Sequence, residues 1–206
     1  MRPGRRFARL ATTAVVRSPR LWRVFRRPLR RQFERLAPVW DAGRARTHLA
    51  GFEAGLAAVP VAPRRALDLG AGTGDSAFAI ARRWPGADVL GVDVAEAMLR
   101  EARRKTPAEL RGRVRFEQAD AAELPYGDAM FDLVGLANMI PFFDELARAL
   151  APGGWVVFGF SLGPRTPIYV PSERLRAELE RRGFTEFADI DAGRATAFLA
   201  RKGEAV

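Results

Sequence analysis

The sequence predicts an α/β fold: a doubly wound sheet of seven strands, mostly parallel, with a C-terminal antiparallel hairpin and an N-terminal basic helical arm. Three observations predict it. Short apolar runs alternate with helix-period segments from Ala66 onward. The first run enters a turn with glycines at alternate positions, Gly70, Gly72 and Gly74. The positive charge is concentrated before the domain: residues 1–40 hold twelve arginines against one acid, Glu34, so the other 166 residues carry about −1 of the chain's net +10. We expect residues 1–45 to form the arm, or a lid, and residues 46–206 the domain.

The arm comes first. From Trp22 the apolar residues fall at Trp22, Phe25, Leu29, Phe33, Leu36 and Trp40, one face of a helix, with arginines on the rest. Pro28 starts a new helix or kinks this run. Such a basic amphipathic segment can lie on an anionic membrane surface, pack on its own domain, or bind nucleic acid. The apolar stretch Leu10 to Val16 is too short for a signal segment and has no cleavage pattern behind it. No apolar run approaches the ~20 residues that span a bilayer. A cytoplasmic protein is therefore expected, with a peripheral membrane position open to it through residues 1–36.

The domain elements follow in order. Ala66 to Leu69 is a buried strand and Ser76 to Arg83 a helix. Asp88 to Asp93 is a second strand, Ala95 to Lys105 a helix facing inward with Met98, Leu99 and Ala102, and Arg113 to Gln118 a third strand. Phe131 to Ala137 is a fourth strand, followed by a helix, Asp144 to Leu150, and the turn Pro152-Gly153-Gly154. Trp155 to Ser161 is apolar throughout, which suits a strand buried on both faces. Ser172 N-caps a helix to Arg182, ended by Gly183. Thr185 to Asp191 and Arg194 to Arg201, joined by Ala192-Gly193, form the hairpin.

Composition narrows the chemistry. There are no cysteines, which removes disulfides, thiolate metal sites and thiol nucleophiles. The single histidine, His48, leaves little room for a histidine-based triad, and no metal is expected. The glycine turn opens a helix, whose free N–H groups face whatever approaches it. The dinucleotide pattern G-x-G-x-x-G fits poorly: from Gly70 its third position falls on Asp75, and the frame from Gly72 starts two residues late. An acid ending the second strand, Asp93, can accept both hydroxyls of a ribose.

The spacing G-x-G-x-G, with Asp68 two residues ahead, resembles motif I of the class I S-adenosylmethionine-dependent methyltransferases. The resemblance extends in the family's order through Asp93, Asp120, the loop Asn138 to Phe143 and the turn Leu150 to Gly154. It is similar in type to the ubiquinone and menaquinone biosynthesis enzymes. The segment Phe33 to Asp41 resembles the F-x-x-(I/L/V)-A-x-x-Y-D stretch that covers the cofactor there, with Trp40 in place of the tyrosine. The resemblance implies a Rossmann-like sheet and S-adenosyl-L-methionine as cofactor. Its cofactor residues map to Asp68, Gly70, Ala71, Gly72, Gly74, Asp93, Val94, Asp120, Ala121 and Asn138. Asp120 would accept the adenine amino group, and the Ala121 N–H would meet the ring.

Substrate contacts are expected from Trp40, Met139, Phe142 and Phe143, with Ile140 and Phe33 nearby, so the acceptor is expected to be a small apolar or lipid-like molecule. Methyl transfer from a sulfonium is an in-line displacement that needs positioning and a dry pocket rather than a nucleophilic residue. A base is required only if the acceptor loses a proton. Asp144, Glu145 and His48 are candidates, and the catalytic residue stays open. Two alternatives are an RNA methyltransferase anchored by the arm, disfavoured because basic and aromatic residues do not interleave within the domain, and a cofactor-binding protein without turnover.

Overall fold

The structure, a computed structural model, describes residues 3–43 and 47–204. The expected boundary between arm and domain, at residues 45/46, lies outside the described residues.

Seven strands form one sheet: β1 (Arg65–Leu69), β2 (Asp88–Asp93), β3 (Val114–Gln118), β4 (Phe131–Ala137), β5 (Leu150–Phe160), β6 (Phe184–Ala192) and β7 (Ala195–Lys202). Their order is β3-β2-β1-β4-β5-β7-β6. Strands β1 to β5 are parallel, and β7 is antiparallel to both β5 and β6. The fold class is the one expected. The order reverses between β1 and β4, and ligands of such sheets gather at the strand carboxyl ends beside that point.

Helices α1 (Pro3–Arg17) and α2 (Trp22–Leu36) make up the arm. Helix α2 runs unbroken through Pro28. The proline costs one ladder hydrogen bond, but Trp22 and Leu29 are buried on either side of it and anchor the helix. Helix α3 (Ala50–Ala58) packs on β5 and β7 so closely that its backbone meets the sheet. A Cβ on Gly51 would lie 2.5 Å from the Thr196 carbonyl oxygen, and one on Gly159 2.7 Å from the Phe52 Cα. Helices α4 (Asp75–Arg83), α5 (Glu96–Lys105), α6 (Phe143–Ala149) and α7 (Ser172–Glu180) complete the layers.

Most boundaries fall within one or two residues of expectation, and three departures have a clear physical cause. Strand β5 begins at Leu150 rather than Trp155, because the Pro152-Gly153-Gly154 turn is a bulge within it: Phe131 pairs with Leu150 but Leu133 with Trp155. Gly153 permits this with a φ of 73°. Ser172 is the first residue of α7 rather than its N-cap, the cap position being the extended Pro171. The hairpin turns at Gly193-Arg194, since Gly193 takes the left-handed φ of 72° while Ala192 still pairs with Ala195.

Candidate active site

The turn after β1 is fastened from its neighbours. The amides of Gly70 and Ala71 both donate to the Val92 carbonyl on β2, each at 2.9 Å. Gly70, Gly72 and Gly74 all have positive φ, at 71°, 53° and 93°, a region closed to most side chains. The Met139 Sδ lies 2.6 Å from where a Cβ on Gly70 would be, so the loop after β4 rests on bare backbone. Ala71 is buried beneath the turn.

Asp93, at the end of β2, holds this turn. Its Oδ2 accepts the Gly72 N–H at 3.0 Å and its Oδ1 the Ala95 N–H at 2.8 Å. Each oxygen keeps lone-pair capacity for a further donor. Burial pushes its carboxyl up to about 6 against the pull of these amides. Asp68 lies fully buried at the glycine end of β1, its Oδ2 accepting the Ser76 hydroxyl at 2.7 Å. Its Oδ1 has no protein partner, and burial raises the group to about 7. Both carboxyls are harder to ionise folded than unfolded. The stability they contribute is therefore full below the ordinary carboxylate range and is lost as pH rises through about 6 and then about 7.

Asp120 follows β3 and is already engaged. The Trp22 indole N–H donates to both its oxygens, at 2.8 and 3.0 Å, and Arg26 at 3.0 Å. The Ala122 N–H adds a fourth bond at 3.0 Å. Trp22 also meets Phe142 edge-on at 5.2 Å. Between arm and domain lies a cavity of about 440 Å³, bounded by Val94, Gln118, Ala119 and Asp120 on the domain side and by Arg26, Arg27 and Arg30 on the arm side. Ala121 is buried next to it in sequence. A second cavity, of about 580 Å³, opens at the opposite, amino ends of the strands, where Arg64, Asp132 and Trp155 line it.

The arm closes over the rest of the site. The Glu34 carboxylate accepts the Glu96 and Ala97 amides at 3.0 and 3.2 Å, capping the first turn of α5 from another element. Trp40 stands edge-on to Phe33 at 5.5 Å, and its Nε1 lies 4.0 Å from a Cβ built on Gly72. Asp41 accepts the Thr73 hydroxyl and the Lys105 ammonium, both at 2.7 Å, and Lys105 also donates to Asp75 at 2.6 Å. The sequence did not mark Trp22, Arg26 or Glu34 as site residues. The one available signal was Glu34, a lone acid among twelve arginines.

The remaining expected residues divide. Asn138 takes a left-handed φ of 55°, and its Oδ1 accepts the Ser161 N–H at 2.9 Å, joining the ends of β4 and β5. Met139 is half-buried over Gly70, whereas Ile140, Phe142 and Phe143 are buried in the core. Phe143 packs under the Arg182 guanidinium at 5.5 Å. Among the base candidates, Glu145 is held below the usual carboxylate range by Arg148 and accepts the Leu124 N–H. Asp144 pairs with Arg182, and His48 Nε2 with Asp75 at 3.1 Å. Among the described residues no group of three or more His, Asp or Glu side chains could hold a metal, and no helix is long and apolar enough to cross a membrane.

Comparison with known proteins falls on the same segment. Residues 66–154 match a family described as a methyltransferase domain. A demethylmenaquinone methyltransferase of Thermus thermophilus is 49% identical over 108 residues, covering 48% of each chain. A trans-aconitate 2-methyltransferase of Methylobacterium nodulans is 44% identical over 106 residues, 48% of this chain and 39% of that one. The chain thus spans about half or less of the length of these curated relatives. A putative methyltransferase of Haloferax volcanii, solved in complex with the Trm112 methyltransferase activator, shares the fold with a TM-score of 0.66 at 20% identity, over 84% of this chain and 98% of that one.

Proposed function

We propose that this chain, whose residues 66–154 match a methyltransferase domain, is a class I S-adenosylmethionine-dependent methyltransferase and transfers a methyl group from S-adenosyl-L-methionine to a small, apolar or lipid-like acceptor. One observation carries the reading: a left-handed glycine turn, the carboxylate that fastens it and, from the next residue Val94 onward, a cavity of about 440 Å³ lie side by side at the carboxyl ends of β1, β2 and β3. The residues fit the cofactor. Asp68 Oδ1 is buried without a protein partner, and among the described residues a Cβ built on Gly72 would meet nothing nearer than the Gly70 carbonyl oxygen and Trp40 Nε1, both at 4.0 Å.

When bound, S-adenosylmethionine supplies an electrophilic methyl group on a positively charged sulfur. The protein's task is to bind, orient and exclude water. Asp93 would take the ribose hydroxyls with its remaining lone pairs, Val94 and Ala119 would flank the adenine, and the Gly70–Gly74 backbone would face the methionyl end. Trp40, Phe33 and Met139 would shield the reacting end from water, which favours loss of charge in the transition state. Met139, half-buried over Gly70, together with Trp40 and Phe33 of the arm supports an apolar acceptor, and a relative named a demethylmenaquinone methyltransferase supports a small one.

Incubation with methyl-labelled cofactor and a cell extract, then fractionated, tests the acceptor. Label is expected in the organic-soluble small molecules, and label confined to RNA or protein contradicts the reading.

Two further expectations arise from the site. Hydroxyl donors favour the ionised Asp93, whose free carboxyl sits at about 6. Affinity for S-adenosylmethionine should therefore rise with pH up to about 6 to 7 and level off above, as a calorimetric pH series can show; a flat series would separate Asp93 from the ligand. Trp22 and the adenine amino group would compete for Asp120. Trp22→Phe keeps the ring on Phe142 and deletes the donor, so cofactor affinity should rise roughly fivefold, one net hydrogen bond of about 1 kcal/mol. An unchanged affinity would mean that Asp120 does not meet the adenine.

A further inference from the structure

The two arm helices present opposite characters on opposite faces. Their apolar faces are turned onto the domain: Ala11 and Val15 of α1, and Trp22 and Leu29 of α2, are buried in the same core cluster as Phe142. Arg5 and Arg9 donate to the Arg165 and Pro164 carbonyls at 3.3 Å, which fixes the rotation of α1. The stripe opposite Ala11 and Val15 is then Arg6, Leu10 and Arg17, at helical spacing, and all three are exposed. On α2 the stripe opposite Trp22 and Leu29 is Val24 and Arg31, exposed as well. Leu10 is 67% exposed, Val24 65% and Leu21, in the link between the helices, 40%. Three large aliphatic side chains thus stand in water, each with arginines beside it.

Glu34, the one acid of residues 1–40, bonds the amides of α5 and pairs with Arg30 at 3.6 Å, so it does not offset Arg6, Arg17 or Arg31, and that segment carries +11 against about −1 for the rest of the chain. Arginine with protruding aliphatics is the chemistry of an anionic lipid surface: guanidinium groups meet the headgroup phosphates, and the aliphatics enter the acyl boundary. A nucleic acid would meet the charge but leave the leucines without a role, since single strands are held by aromatic stacking. The arm's Trp22, Phe25 and Phe33 are turned inward instead.

We infer that the outward face of α1 and α2 docks the chain on an anionic bilayer, with Leu10, Leu21 and Val24 as the inserted residues. This inference stands apart from the methyl-transfer reading, because no cofactor enters it.

Sedimentation of the full chain with vesicles tests it without cofactor. Binding is expected to phosphatidylcholine vesicles containing a third phosphatidylglycerol, and not to pure phosphatidylcholine. Arg17→Glu with Arg31→Glu should weaken it by about tenfold or more, in line with the charge each arginine brings to such a surface. Leu10→Asp with Val24→Asp should do the same while leaving the melting temperature unchanged, since both side chains are in solvent. Equal binding to neutral and anionic vesicles, or wild-type binding by the leucine and valine double variant, overturns the inference. So does tight binding to RNA with none to either vesicle.

Discussion

Asp93→Ala lowers the affinity for S-adenosylmethionine by about 1–3 kcal/mol, between roughly 5-fold and 150-fold, when measured by calorimetry. Two losses combine. The acceptor for the ribose hydroxyls disappears, and so does the clamp on the glycine turn, because Asp93 Oδ2 holds the Gly72 amide at 3.0 Å and Oδ1 the Ala95 amide at 2.8 Å. Without the carboxylate these two partly buried N–H groups lose their partner, and the turn must be reorganised at the expense of binding energy. Asp93→Asn separates the effects: it keeps one acceptor oxygen for an amide but presents a donor to a ribose hydroxyl. A folded Asp93→Asn protein with wild-type affinity would remove Asp93 from the ligand and leave it a purely structural clamp.

Gly74→Val is expected to destabilise the domain by about 3–5 kcal/mol, combining left-handed strain on a β-branched residue with overpacking. The residue stands at a φ of 93°, at the head of α4. A Cβ there would lie 2.9 Å from the ring tips of Phe78 and Phe116 and 3.0 Å from the Ala102 Cβ, so α4, β3 and α5 are all pressed at once. Such a loss is a large part of a typical domain's total stability. Urea unfolding should show a lower midpoint with an unchanged slope. A midpoint within the range of an ordinary surface substitution would mean that the turn can relax, and that its three positive-φ glycines are not needed for the fold.

What could be read from the sequence follows burial geometry. Strands β1, β2 and β4 were legible to within a residue because central parallel strands, covered on both faces, appear as short apolar runs such as Phe131 to Ala137. The doubly wound sheet of seven strands followed from the alternation, whereas the order β3-β2-β1-β4-β5-β7-β6 is set by pairings that no local pattern marks. Helix α3 was not foreseen. Its Ala-Gly-rich sequence is apolar on nearly every side, so it lacks the periodicity that marks a surface helix, and its glycines serve contact with Thr196 and Val157 rather than a turn. The start of β5 was missed because Pro152-Gly153-Gly154 reads as a stop, whereas here it widens into a bulge and pairing resumes.

The candidate site shows the same division. The glycines, Asp93 and Asp120 are recognisable in one dimension, as residues at strand ends with fixed spacing. Their partners across the arm are not. Trp22 and Arg26 are 98 and 94 residues from Asp120, and nothing local marks an indole N–H as the partner of a distant carboxylate. The apolar face of α2 was legible, but its destination was left open between membrane, nucleic acid and domain. Packing decides it for Trp22 and Leu29, which are buried on the domain and leave the arginine face outward.

The central claim is that S-adenosylmethionine is held at the carboxyl ends of β1, β2 and β3. The most direct measurement is a backbone amide spectrum of the isotopically labelled chain, titrated with S-adenosylhomocysteine. Saturable shifts are expected, centred on Gly70 to Gly74, Val94 and Ala121, with the amides around Arg64 and Trp155, at the other end of the sheet, unmoved. A titration that moves no amide, or that moves only those around Arg64 and Trp155, contradicts it.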